Sequence, residues 1–571
     1  MVRNIQIALV GLMLVILLPT KTIAQENMEK VWVFLADKDT TQYNPYTFLD
    51  PKAIERRQIN HVPVFHVSDV PVNPIYVGQI QTITGNIRAE SRWFNAICCL
   101  ATPQQISELK KLAFVVSVKT TERPLEILVS GRNTYQDHEE AFVPDADEIN
   151  FLNAQRHRMG EAAFKKYKID GNGVRVAVFD VGFKSYKTNP AFEHIRKDNR
   201  IKATWDFVKK KENVDAGGTH GTFVLSCIAG RIQGVDMGLA TGAEFLLART
   251  ETWTEFYSEE ENWLMAAEWA DKNGADIINS SLGYTYHRYF REEMDGQHSL
   301  VAKAANMAAS KGILVVNSAG NEGGDKWKFI GTPADADSVL SIGGIHPITG
   351  IHTSFSSFGP TRDKRLKPNV TAYGHVIGSG PKGVSETQGT SFSGPLVAGF
   401  AACARQSRPS YPTMKLFHEI EQSADLYPYY DYAHGYGVPQ ASYFFRTTPL
   451  NPAPTFTVEE KGDRIYIRIK SAEKVNSLNP ADSVTYKENG RYIQWPDYVF
   501  YHIENETGYL AHYWVVDPVG SLSNKILEMI GEGSDSPLAG EGPLVIRRSQ
   551  YPKPFTLRVH YRGYTQSIEI K

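Results

Sequence analysis

A serine hydroxyl becomes a nucleophile only when a base takes its proton and a donor steadies the oxyanion that forms. Four residues of this 571-residue chain are of the right types and in the right surroundings to share that work. Ser391 stands in GTSFSGPLVAG, after a glycine turn and at what reads as the start of a helix. Pro395 is expected in the first turn of that helix, where a missing N–H costs little. Asp180 closes the apolar run VRVAVFD, His220 opens an apolar helix in GGTHGTFVLSCIAG, and Asn321 follows GILVVNSAG. A charged residue at the end of a buried parallel strand lies on the carboxyl edge of the sheet, where α/β sites form. Glycines crowd each position and permit close main-chain approach. Taken singly, each residue has an ordinary structural role as a cap, a core group or a turn former. It is their conjunction that points to acyl transfer.

The elements that must position these residues alternate from about 155 to 445. Candidate strands VRVAVFD, EFLLART, ADIINSSLG, GILVVNSAG and SVLSIGGI are near-continuous apolar runs. Helical stretches ENWLMAAEWADKNG and SLVAKAANMAASKG fall between them, each closed by a glycine. The pattern predicts a parallel sheet covered on both faces, an α/β unit. Upstream, residues 30–120 read as a small α+β unit. KVWVFLAD and SRWFNAICCLA are its first strands, and Thr102, Pro103 and Gln105 form a capping-box start to the helix PQQISELKKL. The strand AFVVSVKTT follows, and the acidic GRNTYQDHEEAFVPDADE reads as linker. Beyond the proline-rich TTPLNPAPT, the alternating runs RIYIRIK, DYVFYHI and AHYWVV and the hairpin FTLRVHY-RG-YTQSIEIK predict a β-sandwich. The expected division is 1–24 signal peptide, 27–125 N-terminal unit, 126–154 linker, 155–445 central unit and 455–571 sandwich. Tyr498, Tyr501, Tyr509 and Trp514 in the sandwich are expected in its core rather than on a sugar-binding face.

Bulk properties narrow the function. A net charge of −2 points to neither nucleic acid nor an anionic membrane as the main partner. Arg3, the run IALVGLMLVILL and the small residues before Ala24 form a cleavable export signal, for which about a dozen apolar residues suffice where a spanning helix needs ~20. Cys98 and Cys99 are adjacent on a strand and must face opposite ways, while Cys227 and Cys403 sit in apolar helices. No disulfide scaffold or metal-ligand spacing follows from the four; Cys227 and Cys403 are expected as small core residues, with a bridge between them as the alternative.

VAVFDVG, GTHGT, SSLG, AGNEG and GTSFSGPLVAG, in that order, resemble the subtilisin-like serine proteases (subtilases). The order Asp, His, Ser, with spacings of 40 and 171 residues, is the subtilisin order. Ser393 replaces the second glycine of a G-x-S-x-G elbow and argues against an esterase. WFNAICCLATPQQISELKKLAFVVSVKTT is similar to the subtilisin propeptide, while the resemblance stops short of 455–571. The resemblance implies a secreted endopeptidase made as a self-processing proenzyme, with peptides as substrates and its own propeptide as inhibitor. Ser391 would be the nucleophile, His220 the general base and Asp180 its orienting partner. Asn321 and the Ser391 N–H would form the oxyanion hole. Ser281, Leu282 and Gly283 would pair with the substrate main chain, and the primary pocket would lie between them and Ala319–Gly320. Val181 departs from the usual Ser or Thr, Phe392 is larger than usual, and GRIQGVDMG does not clearly reproduce the family's calcium loop, so calcium stays an open alternative and no cofactor is assigned. The expected state is a monomer with no membrane span after signal removal. The rival reading is an inert subtilase-fold protein that binds or adheres through its C-terminal unit.

Overall fold

Val31 and Trp32 point to opposite sides of one strand, and that alternation decides how the N-terminal unit sits. The computed structural model describes residues 28–120, 142–252, 258–286, 288–448, 451–470, 485–488, 491–494, 498–517, 538–539 and 544–571. The expected signal at 1–24 and most of the stretch read as linker fall outside them. In chain order the N-terminal unit holds β1 (Glu29–Leu35), α1 (Pro51–Ile59), α2 (Pro74–Thr84), β2 (Ile87–Ser91), β3 (Ala96–Ala101), α3 (Pro103–Leu109) and β4 (Val115–Thr120). The antiparallel sheet runs β2-β3-β1-β4. Val31, Val33, Ile97 and Cys99 face α2 and α3, while Trp32, Ala96 and Cys98 face the next unit. Cys98 and Cys99 thus look opposite ways, and all four cysteines are free and buried. The capping box at Thr102 and Gln105 is formed by both of its bonds.

Two expectations about local structure need correction. SRWFNAICCLA is not one strand: Ser91 closes β2, residues 92–95 turn, and β3 begins at Ala96. The turn is held from outside, because Glu268 accepts from the Ser91 hydroxyl at 2.6 Å and from the Arg92 and Trp93 N–H groups at 3.0 and 3.1 Å. Nor is the acidic stretch a linker to its end, since α4 (Ala146–His157) begins within it. Two of its acids, Asp145 and Glu148, are the capping box of that helix, which buries Phe151 and Leu152.

The central unit continues with β5 (Arg175–Asp180), β6 (Ile201–Asp206), α5 (His220–Ala229), β7 (Glu244–Arg249), α6 (Ser258–Lys272), β8 (Ile277–Ser280), α7 (Leu300–Ser310), β9 (Leu314–Ser318), β10 (Val339–Ile345), β11 (Val370–Tyr373), β12 (His375–Ser379), β13 (Val384–Gln388) and α8 (Thr390–Ser407). Seven strands form a parallel sheet in the order β11-β10-β9-β8-β5-β7-β6. Val176, Val178, Val316 and Ile342 face α5 and α8, and the alternate residues Ala177, Phe179, Val315 and Ile278 face α6 and α7. Burial on both faces is why these strands read as continuous apolar runs.

In the C-terminal unit, β14 (Phe456–Lys461), β15 (Arg464–Ile469) and β18 (Leu544–Arg547) form one sheet. A second contains β16 (Val499–Asn505), β17 (Leu510–Asp517), β19 (Phe555–Tyr561) and β20 (Tyr564–Ile570). Phe456, Ile465, Val499, Ile503, Leu557 and Ile570 close a core between the two sheets, a sandwich-like arrangement. The hairpin β19–β20 turns on Arg562 and Gly563, both at positive φ, as a tight I′ turn requires. Tyr498 and Tyr501 are buried, and Tyr509 and Trp514 half-buried. The alternation of β16 sends Val499, Tyr501 and Ile503 into the sandwich, and Phe500 and His502 onto Tyr429 of the central unit.

That joint is lined with neutral histidines. Burial pushes His502 down to about 4 despite the Tyr430 carbonyl that its Nδ1 meets at 2.6 Å. Burial likewise brings His560 down to about 4, with Asp425 opposing it. A histidine held below its ordinary value binds fewer protons folded than unfolded, so its contribution is intact above about pH 6.5 and is lost as the pH falls towards 4. Thermal melts between pH 7 and 4 should therefore show the wild type losing stability more steeply than His502→Gln, which cannot take up a proton there. Parallel curves would contradict the assignment.

Candidate active site

Asp180, the last residue of β5, has no exposed surface. A buried carboxylate must be matched by donors, and here they come from its own chain neighbour and from the start of α5. Val181 N–H donates to Asp180 Oδ1 at 2.8 Å. His220 Nδ1 lies 3.0 and 2.9 Å from the two carboxylate oxygens. An ionised carboxylate only accepts, so Nδ1 carries the hydrogen and Nε2 is left as the basic nitrogen. Burial pulls the imidazole down, but the charge and hydrogen bond of Asp180 outweigh it and raise His220 above the ordinary histidine range. The approach needs Gly221, because a Cβ there would lie 2.9 Å from that of Asp180 and 2.5 Å from the Gly182 carbonyl.

Ser391 is the second residue of α8 and is 9% exposed. Gly389 before it adopts φ +136°, a conformation side chains resist. Ser391 Oγ donates to the Ser281 carbonyl at 3.3 Å rather than to His220. Phe392, next in the chain, sets its ring 5.3 Å from the imidazole. Pro395 is not in the first turn. The helix begins at Thr390, so Pro395 is its sixth residue and leaves the Ser391 carbonyl without a helical donor. The Ser281 hydroxyl donates to that carbonyl instead, at 2.9 Å.

Asn321 is exposed, and its amide is oriented from one side. Its Oδ1 accepts from the Thr390 N–H at 2.9 Å and lies 3.0 Å from the Thr390 hydroxyl. With the oxygen so engaged, Nδ2 is the end that can donate to a ligand. Of the residues expected to meet substrate, Ser281, Leu282 and Ala319 are buried, Gly320 is half-buried and Gly283 is exposed. Along these two segments the accessible main chain is therefore at Gly283 and Gly320. Tyr284, next along, is already paired with Thr332 through bonds of 2.9 and 3.1 Å.

Sequence reasoning missed Thr390 and Glu322. The Glu322 carboxylate accepts from the Ser357 hydroxyl at 2.8 Å, directly beneath Gly320, and burial lifts it above the usual carboxylate range against that bond. The sequence signal available was the threonine before the serine and the glutamate after Asn321, both inside motifs already noticed. GRIQGVDMG forms a two-strand hairpin closed by an Arg231–Asp236 ion pair at 2.6 Å. Among the described residues no group of three or more His, Cys, Asp or Glu side chains could hold a metal ion.

The Subtilase family pattern of peptidase family S8 matches residues 171–437. A Peptidase S8 propeptide domain described for Bacteroidota matches residues 30–139. A thermostable alkaline protease of Halalkalibacterium halodurans is 30% identical over 319 residues, 56% of this chain and 75% of that protein. Subtilisin BL of Lederbergia lenta is 28% identical over 257 residues, 45% of this chain and 85% of its own length. The solved structure of MycP1 from Mycobacterium smegmatis, 23% identical, covers 57% of this chain and 92% of its own at a TM-score of 0.43, too loose a likeness to carry an argument.

If Asn321 Nδ2 is a donor to a developing oxyanion, Asn321→Ala should lower kcat by ~10²–10³ with KM little changed. Thr390→Val, which removes the hydroxyl from the amide oxygen and from the Gly320 main chain but keeps the Thr390 N–H bond, should lower kcat by less. Steady-state kinetics on a peptide substrate would read both.

Proposed function

The chain belongs to the subtilase family and is a subtilisin-like serine endopeptidase with a propeptide domain, and from that premise we propose that it is a secreted, self-processing proenzyme whose catalytic triad is Asp180, His220 and Ser391. The observation that carries the triad is the buried Asp180–His220 pair, which fixes the imidazole tautomer and makes Nε2 basic. A turn of the Ser391 side chain away from the Ser281 carbonyl lets His220 take its proton as Oγ attacks the scissile carbonyl. The oxyanion is received by Asn321 Nδ2 and the Ser391 N–H at the positive end of α8. His220 then protonates the leaving amine, and water repeats the sequence on the acyl-enzyme. Substrate enters as an extended strand against Gly283 and Gly320.

The N-terminal unit is proposed as the inhibitor, and its hold on the enzyme is ionic as well as apolar. Asp271 on α6 is fully buried and paired with Arg56, and with Arg57 and Arg92 at 2.9 Å each. Asp69 pairs with Lys311 across the same interface at 3.1 Å, and Lys30 with Glu261 at 2.6 Å. Removing one partner of a buried cluster leaves the others uncompensated, which typically costs ~3–5 kcal/mol. Because α4 is built into the central core, the proposed cut falls before Asp145, in a stretch outside the described residues. The working enzyme is proposed as a monomer acting in the cell envelope or outside the cell.

Intact mass and a fluorophosphonate probe test the reading. The wild type should lose its first ~100 or more residues and take one label, while purified Ser391→Ala should stay long and unlabelled. Normal processing of Ser391→Ala would sink self-maturation. Asp271→Asn should shorten the lag before casein cleavage appears during maturation, and an unchanged lag would remove the ionic cluster from the inhibitory hold.

A further inference from the structure

Ser281 and Ser391 exchange two hydrogen bonds. The Ser281 hydroxyl donates to the Ser391 carbonyl at 2.9 Å, and the Ser391 hydroxyl donates to the Ser281 carbonyl at 3.3 Å. Between two residues 110 positions apart, this reciprocal pairing ties the first turn of α8 to the segment that follows β8. Its cause lies in the helix. In an uninterrupted helix the Ser391 carbonyl accepts from the N–H four residues on. That residue is Pro395, which has no N–H and whose ring crowds the same carbonyl. The peptide plane that carries Ser391 forward is therefore released from the helix and is restrained by Ser281 alone among the described side chains.

The Ser281 hydroxyl is itself held. It has one proton, spent on Ser391, and its lone pairs face the Asn279 amide, whose Nδ2 stands 3.3 Å away. Asn279 is wholly buried and Ser281 5% exposed, so neither bond competes with bulk water. A chain of three groups, Asn279 amide to Ser281 hydroxyl to Ser391 carbonyl, thus runs under the start of α8 in a low-dielectric setting, where such bonds reinforce one another.

We propose that Ser281 is a positioning residue for the nucleophile: it replaces the helical bond that Pro395 removes and so fixes the main-chain and side-chain torsions from which Ser391 Oγ departs. This rests on the reading of Ser391 as nucleophile. It adds a side-chain role to the main-chain pairing expected of Ser281, since the hydroxyl is engaged with the enzyme. Pro395 keeps the helix from claiming the Ser391 carbonyl, and Ser281 couples the nucleophile to the same segment whose Gly283 is open to a peptide.

The test is a rescue. Ser281→Ala should lower kcat and the rate of fluorophosphonate labelling roughly 10- to 100-fold, with KM within about threefold and a lowered melting temperature, because the Ser391 carbonyl and the Asn279 amide each lose a buried partner. Ser281→Thr, which keeps a hydroxyl, should stay near the wild type. Pro395→Ala added to Ser281→Ala returns an N–H to the Ser391 carbonyl, and the double variant should recover most of the lost labelling rate. Trypsin clears the prodomain from any variant that does not process itself. Should Ser281→Ala not fold, Ser281→Thr and the double variant still decide: both active supports the proposal, and a folded double variant labelled no faster than background overturns it. A wild-type labelling rate for Ser281→Ala, or a double variant no faster than the single one, also overturns it. Ser391→Ala in the same series keeps the two readings apart. If it still takes label, the nucleophile assignment fails; if it is inert while Ser281→Ala labels normally, only the positioning role fails.

Discussion

A carboxylate without exposed surface at the end of a parallel strand sets the terms for everything around it. A carboxylate buried there must be met by hydrogen-bond donors and a cation-capable partner. One donor, the Val181 N–H, comes with the strand itself. The other must arrive with α5, whose first residue is His220 and whose second, Gly221, is small enough to let the helix press against the aspartate. Once α5 is placed by that pairing, α8 is placed by packing beside it across the same sheet face, where both bury their apolar sides in one core. The start of α8 thus falls beside the imidazole, with Phe392 touching the ring and Ser391 just before it. The site is the consequence of satisfying one buried charge.

Much of this was legible because the signals are local. A strand that ends in Asp, a glycine-rich approach to His, and a Gly-Thr-Ser turn into a helix each fit within about ten residues, and so does the capping box at Thr102. Five strands of the sheet were readable from their apolar runs. The other two were not: IKATWD at the sheet edge is half-buried and polar on one side, and VTAY is too short to show a period. What escaped entirely was long-range. α1 was not among the elements read from the sequence; it carries Lys52, Glu55, Arg56 and Arg57, and both arginines are buried against Asp271 more than 200 residues away. Pro395 read as a first-turn residue because nothing local reveals that the helix begins at Thr390, or that a serine 110 residues upstream stands in for the missing bond.

The two flanking units are joined to the enzyme by different physics. The N-terminal unit meets α6 through buried ion pairs set beside a thin apolar patch, with Trp32, Trp93 and Cys98 against Trp263 and Leu264. Buried ion pairs give large penalties for mismatch more than net attraction, which suits a contact that must be exact. The C-terminal unit meets the segment around Tyr429 through stacked aromatic and neutral imidazole rings, with Leu426 and Ile351 filling between them. That is the chemistry of a core, and it suits a contact that persists.

One strand makes the persistence structural. β16 spends alternate residues on two different bodies, Val499, Tyr501 and Ile503 on the sandwich and Phe500 and His502 on the central unit. In such a strand there is no outer face on which substitutions are free, and the insertion or loss of one residue would exchange the two sets. The C-terminal unit is accordingly not a cassette that recombination could move from one enzyme to another at the proline-rich break. To travel, it would have to take its seat at residues 426–436 with it, and natural variation in the two should be inherited together.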